Sequence, residues 1–526
     1  LHEGKQQLKV TREKAAVARL NKFNSKKKGG WLRGVLGKFV KPIAVRHCWE
    51  VGVEGFVELV TDPVRVAKAA DSYFYEWTRA TTERDDRTVE GVEELEEQYC
   101  EANFKDEALW HAPTESHPLG DPQFMTRPPT DEECVAALKD MAVGKAVGPS
   151  GQPVEYCKHA PPCIQQIIWS NIRVMFAEGD VPKSFKDGQI YCLPKTDSPI
   201  ASYANVRPIT LLEQIKLKLM TRVLIKRVDV VMALNKDKLL HGAQYAGVKG
   251  GSTGDPLFIR RAVVESCRER GEELHIFDSD ISKAYDSVHF WSIEQALKRM
   301  GLPSLTIKLM LNIQGGRSSV LNGGVATEGY EVEKGVRQGE VLSPFLWVAF
   351  TDALLCAQQE VGEGVKIGNV TGYECHTFGS SYMDDAVWYS NSRGEMQRRV
   401  EVQSAFCKYH GIKLNMNKST YTVVPKKGGK VSHVPQSLEV GGIHSKIGHV
   451  DGYFKYLGVM MSPVGSLKHE VGKLENWVDG VYKSMWRQNL TTAERVYIIN
   501  TVVAGKLQYT MQTTGLPRSF LHRVDN

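Results

Sequence analysis

Between about residues 131 and 455 two hydrophobic patterns alternate along this chain. Short runs rich in β-branched and aromatic residues, Glu273–Asp278 and Ala386–Tyr389 among them, predict strands. Longer stretches with apolar residues every three or four positions, including Trp291–Met300 and Gly394–Tyr409, predict helices. The most apolar stretch, Val341–Ala357, carries Ser343, Pro344 and Asp352 and reads as a buried helix, too short and too interrupted for a membrane span. Over residues 468–510 the pattern is helical throughout, with Leu474, Trp477, Val478, Val481, Tyr482 and Met485 on one face. Interleaved strands and helices followed by helices alone predict an α+β fold.

Upstream, Val64, Val66, Ala67, Tyr73 and Trp77 trace an amphipathic helix, with Asp62 as its cap and Pro63 at its first position. Residues 83–107 are rich in Glu and Asp and read as a solvated acidic helix or linker. Prolines across residues 111–130 mark a boundary. Thr130 and Glu133 then form a capping-box pattern that opens the next helix.

Composition adds an uneven charge. The net charge of the 526 residues is +6, yet residues 1–50 hold thirteen Lys and Arg against three Glu. Such a basic arm suits a phosphate backbone, and equally a solubilising, partly disordered tail. The ten cysteines form no Cys-x-x-Cys pair, which argues against a zinc ribbon or redox motif and for reduced core residues in an intracellular protein. No signal peptide is visible, and a chain running from Leu1 to Asn526 reads as a fragment. Glycines 247–254 are not followed by the Gly-Lys-Ser/Thr of a phosphate-binding loop.

Two carboxylate clusters carry the chemistry. Tyr382-Met383-Asp384-Asp385 lies between two β-prone runs, as at the tip of a hairpin. Adjacent aspartates there repel unless a cation neutralises them, and taken alone a solvated turn competes with that reading. In Asp278-Ser279-Asp280-Ile281-Ser282-Lys283-Ala284-Tyr285-Asp286 an apolar strand runs into carboxylates ahead of a helix starting near His289. Asp286 or Ser287 suits the cap of that helix, whereas Asp280 lies too far upstream. Asp280 and Asp384, with Asp385, could therefore supply a two-magnesium site for phosphoryl transfer.

At these residues the sequence resembles the reverse transcriptases, in particular those of non-LTR (LINE-type) retrotransposons. Matching segments run in order: Gly144–Gly151, Ile190–Lys195 with Asn205–Leu212, Gln244–Asp255, Asp280–Asp286, Gly335–Pro344, Tyr382–Asp385, Gly411–Ser419 and Phe454–Gly458. Ser150 stands where the family usually has Asp, Gln152 where Ile is common, Glu340-Val341 where Cys-Pro is frequent, and Met383 where a small residue is often seen.

The resemblance implies a right-hand polymerase: fingers over 131–255, a palm with an antiparallel sheet over 256–455 and a helical thumb over 456–526, preceded by a basic then acidic extension over 1–130. It implies two Mg²⁺ ions, with Mn²⁺ as a substitute, held by Asp280, Asp384, Asp385 and the backbone carbonyl of Ile281. Lys195 and Arg207 would bind a triphosphate, and Gln338 and Gly339 would approach the nucleotide. Tyr285 would block a 2′-hydroxyl, unless it is simply a core aromatic at a helix start. Lys418 would protonate pyrophosphate, or is a solvated lysine. The implied partners are an RNA template, a DNA primer, their hybrid duplex and dNTPs, with no membrane, in the nucleus and cytoplasm. In the thumb, Trp486, Lys483 and Arg487 could follow the duplex, while Trp477 suits the core. Competing readings are a catalytically silent RNA-binding scaffold, an RNA-templated RNA polymerase and an intron maturase; an aromatic at position 285 disfavours the second, and a LINE-like thumb the third.

Overall fold

The computed structural model describes residues 48–51, 57–80, 93–113, 120–195, 203, 206–248, 250–322, 325–368, 375–426, 437–448, 453–462, 468–488, 490–511, 516 and 518–525. The basic arm expected over residues 1–50 lies outside them apart from a strand at Cys48–Val51. The described residues pack as two compact units, one within 48–256 and 266–448 and the other within 257–265 and 453–525. Residues 131–256 and 266–448 thus share one unit.

The elements that build the site are, in chain order, α1 (Pro63–Thr78), β1 (Gly188–Pro194), β2 (Val206–Leu212), β3 (Leu274–Ser279), α2 (Phe290–Arg299), β4 (Gly316–Asn322), β5 (Tyr330–Val332), α3 (Ser343–Val361), β6 (Gly379–Tyr382), β7 (Asp385–Ser390), α4 (Arg393–Tyr409), β8 (Thr420–Val424) and β9 (Lys446–Ile447). One sheet has the order β6-β7-β3-β8-β9, antiparallel except for the β8–β9 pair. A second sheet joins β2, β1 and β4, with β5 paired to β4.

The strand Leu274–Ser279 pairs on both edges and is buried along nearly its whole length, with helix α4 packed against it. Helix α3 is buried on almost every side, so it needs no amphipathic stripe. It packs against α2, α4 and the short helix Glu93–Gln98. Each of its fully buried large side chains, such as Trp347 and Phe350, contributes about 1.5–3 kcal/mol. The helix starts at Asp62 and at Thr130 form as the sequence suggests: Asp62 accepts from the Arg65 amide at 2.9 Å, and Thr130 and Glu133 close a reciprocal capping box.

Three expectations need correction. The acidic segment forms a helix at Glu93–Gln98, not a linker, and is not wholly solvated: Leu95 is fully buried and Glu94 pairs with Arg398, and just beyond the segment the buried Trp110 indole donates to the Met300 carbonyl at 2.7 Å. Glu93, Glu96 and Glu97 stay exposed on the outer face, while Leu95 and Gln98 pack inward. Neither Asp286 nor Ser287 caps α2; His289 occupies that position, the Ser287 hydroxyl donates to the Lys283 carbonyl, and Asp286 has a different partner described below. The cysteines are not all core residues, since Cys100, Cys163 and Cys375 are exposed.

In the C-terminal unit, helices Lys468–Trp486, Thr492–Ile498 and Ala504–Met511 close over Leu474, Val478, Val481, Ile498 and Leu507. Trp477 packs against this cluster, whereas Trp486 is 75% exposed with Arg495 over its ring.

Candidate active site

The sheet register brings the two carboxylate clusters together. Ala386 of β7 lies opposite Ser279 of β3, so Asp385 falls beside the position of Asp280, one residue beyond the paired strand. On the other side, Thr420 of β8 lies opposite Asp278. The turn before β8 then clamps Asp280 through its backbone. The Asp280 amide donates to the Ser419 hydroxyl at 3.1 Å, and the Asn415 amide donates to the Asp280 carbonyl at 2.8 Å. Ser419 is fully buried, and its hydroxyl donates onward to the Asn415 carbonyl at 2.9 Å.

Tyr382 pairs with Asp385 across a two-residue tip, Met383-Asp384. Met383 has φ 56°, a conformation that costs a residue with a Cβ on the order of 1–2 kcal/mol and is the kind of strain found at functional sites. Its sulfur accepts from the Tyr285 hydroxyl at 3.2 Å.

An open cleft of about 1820 Å³ lies over this floor. Its walls include Asp280, Ile281, Tyr285, Gln338, Gly339, Asp384, Lys195, Arg207 and Lys418, nine of the ten residues singled out in the sequence. The tenth, Asp385, lies behind the tip and is exposed. Burial within the cleft wall raises the pKa of Asp384; Asp280 raises it further and Arg207 opposes the shift. Asp385 is pushed up to about 6, by burial first and then by Asp384, Asp280 and Asp278. Both carboxylates remain open to solvent, so a cation can reach them.

All the donors here are oxygens, the ligand type that Mg²⁺ and Mn²⁺ take, and the raised carboxylate pKa values express burial first and mutual repulsion second, both of which such an ion offsets. Among the described residues no three His, Cys, Asp or Glu side chains are already gathered at ligand spacing. The donor set fits an ion that takes one or two carboxylates and completes its shell with water and phosphate oxygens.

Tyr285 is half-buried and stacks on Trp347, with centroids 5.1 Å apart and planes at 17°. This is neither a pure core aromatic nor a free one: one face is braced by Trp347 and the residue lines the cleft. Gly339 has φ 107°, and a Cβ there would lie 2.8 Å from the Thr210 carbonyl oxygen, so only glycine lets this loop lie against β2.

Four cleft residues escaped the sequence reading. Tyr73 and Trp77 reach it from α1, and the Lys283 ammonium sits 3.8 Å from the Trp77 ring centroid. Their four-residue spacing marked a buried helix face, and nothing local linked that face to a cleft some two hundred residues away in sequence. Asp286 is the fourth. The Gln338 side-chain amide donates to it at 2.9 Å, and its pKa is raised to about 7 by burial, against the pull of Gln338, Lys283 and Lys195.

The profile of the reverse transcriptase (RNA-dependent DNA polymerase) family matches residues 193–461, just over half of the chain and most of the cleft. The chain belongs to this family. It is 25% identical over 359 residues to a Pol polyprotein from the type-1 retrotransposable element R2 of Popillia japonica, covering 67% of this chain and 48% of that protein. It is 24% identical over 398 residues to the Pol polyprotein of element R2DM of Drosophila melanogaster, covering 73% of this chain and 35% of that one. The resemblance to non-LTR retrotransposon reverse transcriptases is thereby borne out, and the chain spans about half or less of the length of these curated relatives. A truncated apo telomerase from Candida tropicalis aligns with TM-score 0.34 and 13% identity over 57% of this chain and 59% of that one, a likeness too weak to carry an argument.

Proposed function

We propose that this chain is the polymerase region of a non-LTR retrotransposon reverse transcriptase, extending a DNA primer on an RNA template with dNTPs. The observation that carries the proposal is the β3–β7 register, which sets Asp280 beside the hairpin whose tip presents Asp384 to the same cleft. Residues 131–255 act as fingers, 256–455 as palm and 456–526 as thumb, in a nuclear and cytoplasmic protein.

Asp280 and Asp384, with Asp385 and the Ile281 carbonyl, would hold two divalent ions. Once bound, such ions lower the pKa of the primer 3′-hydroxyl and neutralise charge on the departing pyrophosphate. The remaining work is positioning, because phosphoryl transfer asks little covalent chemistry of the protein. Arg207 engages the triphosphate with its planar fork, and Lys195 adds a point charge at the end of β1. Tyr285, braced by Trp347, presents an edge that a 2′-hydroxyl would strike, so it selects deoxynucleotides by repulsion. Gln338 contacts the nucleotide, and the Gly339 backbone approaches it closely. Lys418, exposed on the turn that clamps Asp280, donates a proton to pyrophosphate. The hybrid duplex is held by its shape and backbone.

The test is extension of a DNA primer on an RNA template with dNTPs and Mg²⁺. The chain should extend the primer, and Asp384→Asn should abolish extension while leaving the fold intact. A wild-type chain that fails to extend, or an Asp384→Asn variant as active as wild type, refutes the proposal.

A further inference from the structure

Gln338 is held at both ends. Its backbone carbonyl accepts from the Thr210 amide of β2 at 2.7 Å, and its side-chain nitrogen donates to Asp286 at 2.9 Å. The loop that carries it is tied to the same stretch of chain as Asp286. The Gly335 amide donates to the Val288 carbonyl, and the Val336 amide to the Tyr285 carbonyl, each at 2.7 Å. Gly335 has φ 97°, and a Cβ there would lie 2.9 Å from the Asp286 carbonyl oxygen, so the two backbones touch. Helix α2 takes nothing from Asp286, since His289 stands at its cap. The Asp286 side chain is therefore committed to Gln338, and both line the cleft.

An ionised carboxylate can only accept hydrogen bonds, so the amide it holds must turn its nitrogen inward and its oxygen away. Burial raises the Asp286 pKa to about 7 against the pull of Gln338, Lys283 and Lys195, so above neutral pH the group is the carboxylate acceptor to which the Gln338 nitrogen donates. The oxygen of Gln338 is then a fixed acceptor for a ligand in the cleft. Phosphate oxygens only accept, so the matching group on a nucleotide is a sugar hydroxyl or base amino donor.

We propose that Asp286 is a positioning residue: it fixes the orientation of the Gln338 carboxamide and thereby sets the affinity for the incoming nucleotide, without touching that nucleotide itself. This rests on the polymerase reading above.

The experiment is a double-mutant cycle in primer extension, with dNTP KM and kcat measured for each chain and thermal melts as a fold control. Asp286→Ala should raise KM roughly tenfold, the factor that corresponds to about 1.4 kcal/mol, with kcat within about twofold. Asp286→Asn keeps an acceptor oxygen and should stay near wild type. Gln338→Ala should match Asp286→Ala, and the double variant should be no worse than Gln338→Ala alone, because the two residues act as one unit. Should Asp286→Ala not fold, a second pair serves. Gln338→Glu sets two carboxylates against each other and should lose affinity, and adding Asp286→Asn should restore it by supplying a donor. Losses that multiply in the double variant, or a Gln338→Glu defect that Asp286→Asn leaves unrepaired, overturn the proposal while the polymerase reading stands. A wild-type chain that extends no primer overturns both.

Discussion

Replacing Ser419 by Ala removes one hydroxyl some distance from any reacting atom, and the structure says what should follow. That hydroxyl is fully buried and is the partner of the Asp280 amide, at 3.1 Å. The Asn415 carbonyl also loses a donor, but it still accepts from the Lys418 and Ser419 amides at 3.0 and 2.9 Å. The net damage is one stranded backbone N–H, worth about 1–3 kcal/mol. In a protein whose total stability is about 5–15 kcal/mol, that is a measurable drop in Tm and not unfolding. The larger effect falls on position. Asp280 projects from the end of β3, one residue past the last sheet pair, so the Ser419 and Asn415 contacts are what fix its carboxylate against the hairpin. A displacement near 1 Å can cost about a hundredfold in rate. Ser419→Ala should therefore lower kcat for primer extension by roughly ten- to a hundredfold while changing dNTP KM by less than about threefold. Steady-state extension and thermal melts read the two quantities separately. A variant with a lower Tm and wild-type kcat would refute the positioning argument, and one with both unchanged would refute the hydrogen-bond reading as well.

Other outcomes follow from the same geometry. Tyr285→Ala should admit ribonucleotides, whereas Tyr285→Phe, which keeps the ring and its Trp347 stack, should still exclude them; competition between rNTP and dNTP incorporation reads the difference. Asp385 holds its proton more tightly folded than unfolded, with a pKa near 6 against an ordinary carboxylate near 4. Its share of stability is thus intact below about pH 4 and is lost as pH rises through 6, so metal-free melts of wild type should fall more steeply over that window than those of Asp385→Asn, and Mg²⁺ should restore wild type at pH 7. In the C-terminal unit Trp477→Ala should destabilise by about 2–4 kcal/mol through the cavity it leaves. Trp486→Ala, at an exposed position, should change stability by less than about 0.5 kcal/mol yet weaken binding to an RNA–DNA hybrid in a filter or polarisation assay.

What could be read from the sequence was local. The hairpin at Tyr382–Asp385, the strand into Asp280, the buried helix at Val341–Ala357 and the capping box at Thr130 each lie within a window of a few residues, where periodicity and turn chemistry operate. What could not be read was set by distant partners. Asp286 looks like a helix cap because caps are chosen over three or four residues, yet its partner is Gln338, 52 positions away, and that contact wins. Residues 83–107 read as a solvated acidic helix or linker because their charges dominate the composition, and only the fold reveals that Arg398 takes Glu94 while Leu95 goes inside. Tyr73 and Trp77 mark a buried face correctly, but no sequence signal says that this face borders the cleft.

The central claim is that Asp280 and the Asp384–Asp385 pair share a divalent cation in the presence of substrate. Titration of Mn²⁺ into the chain with primer, template and dNTP, followed by electron paramagnetic resonance, measures this directly. The account predicts saturable binding to wild type that Asp280→Asn and Asp384→Asn each weaken severely, although the two residues are about a hundred positions apart in sequence. Binding that survives either substitution undiminished would contradict it.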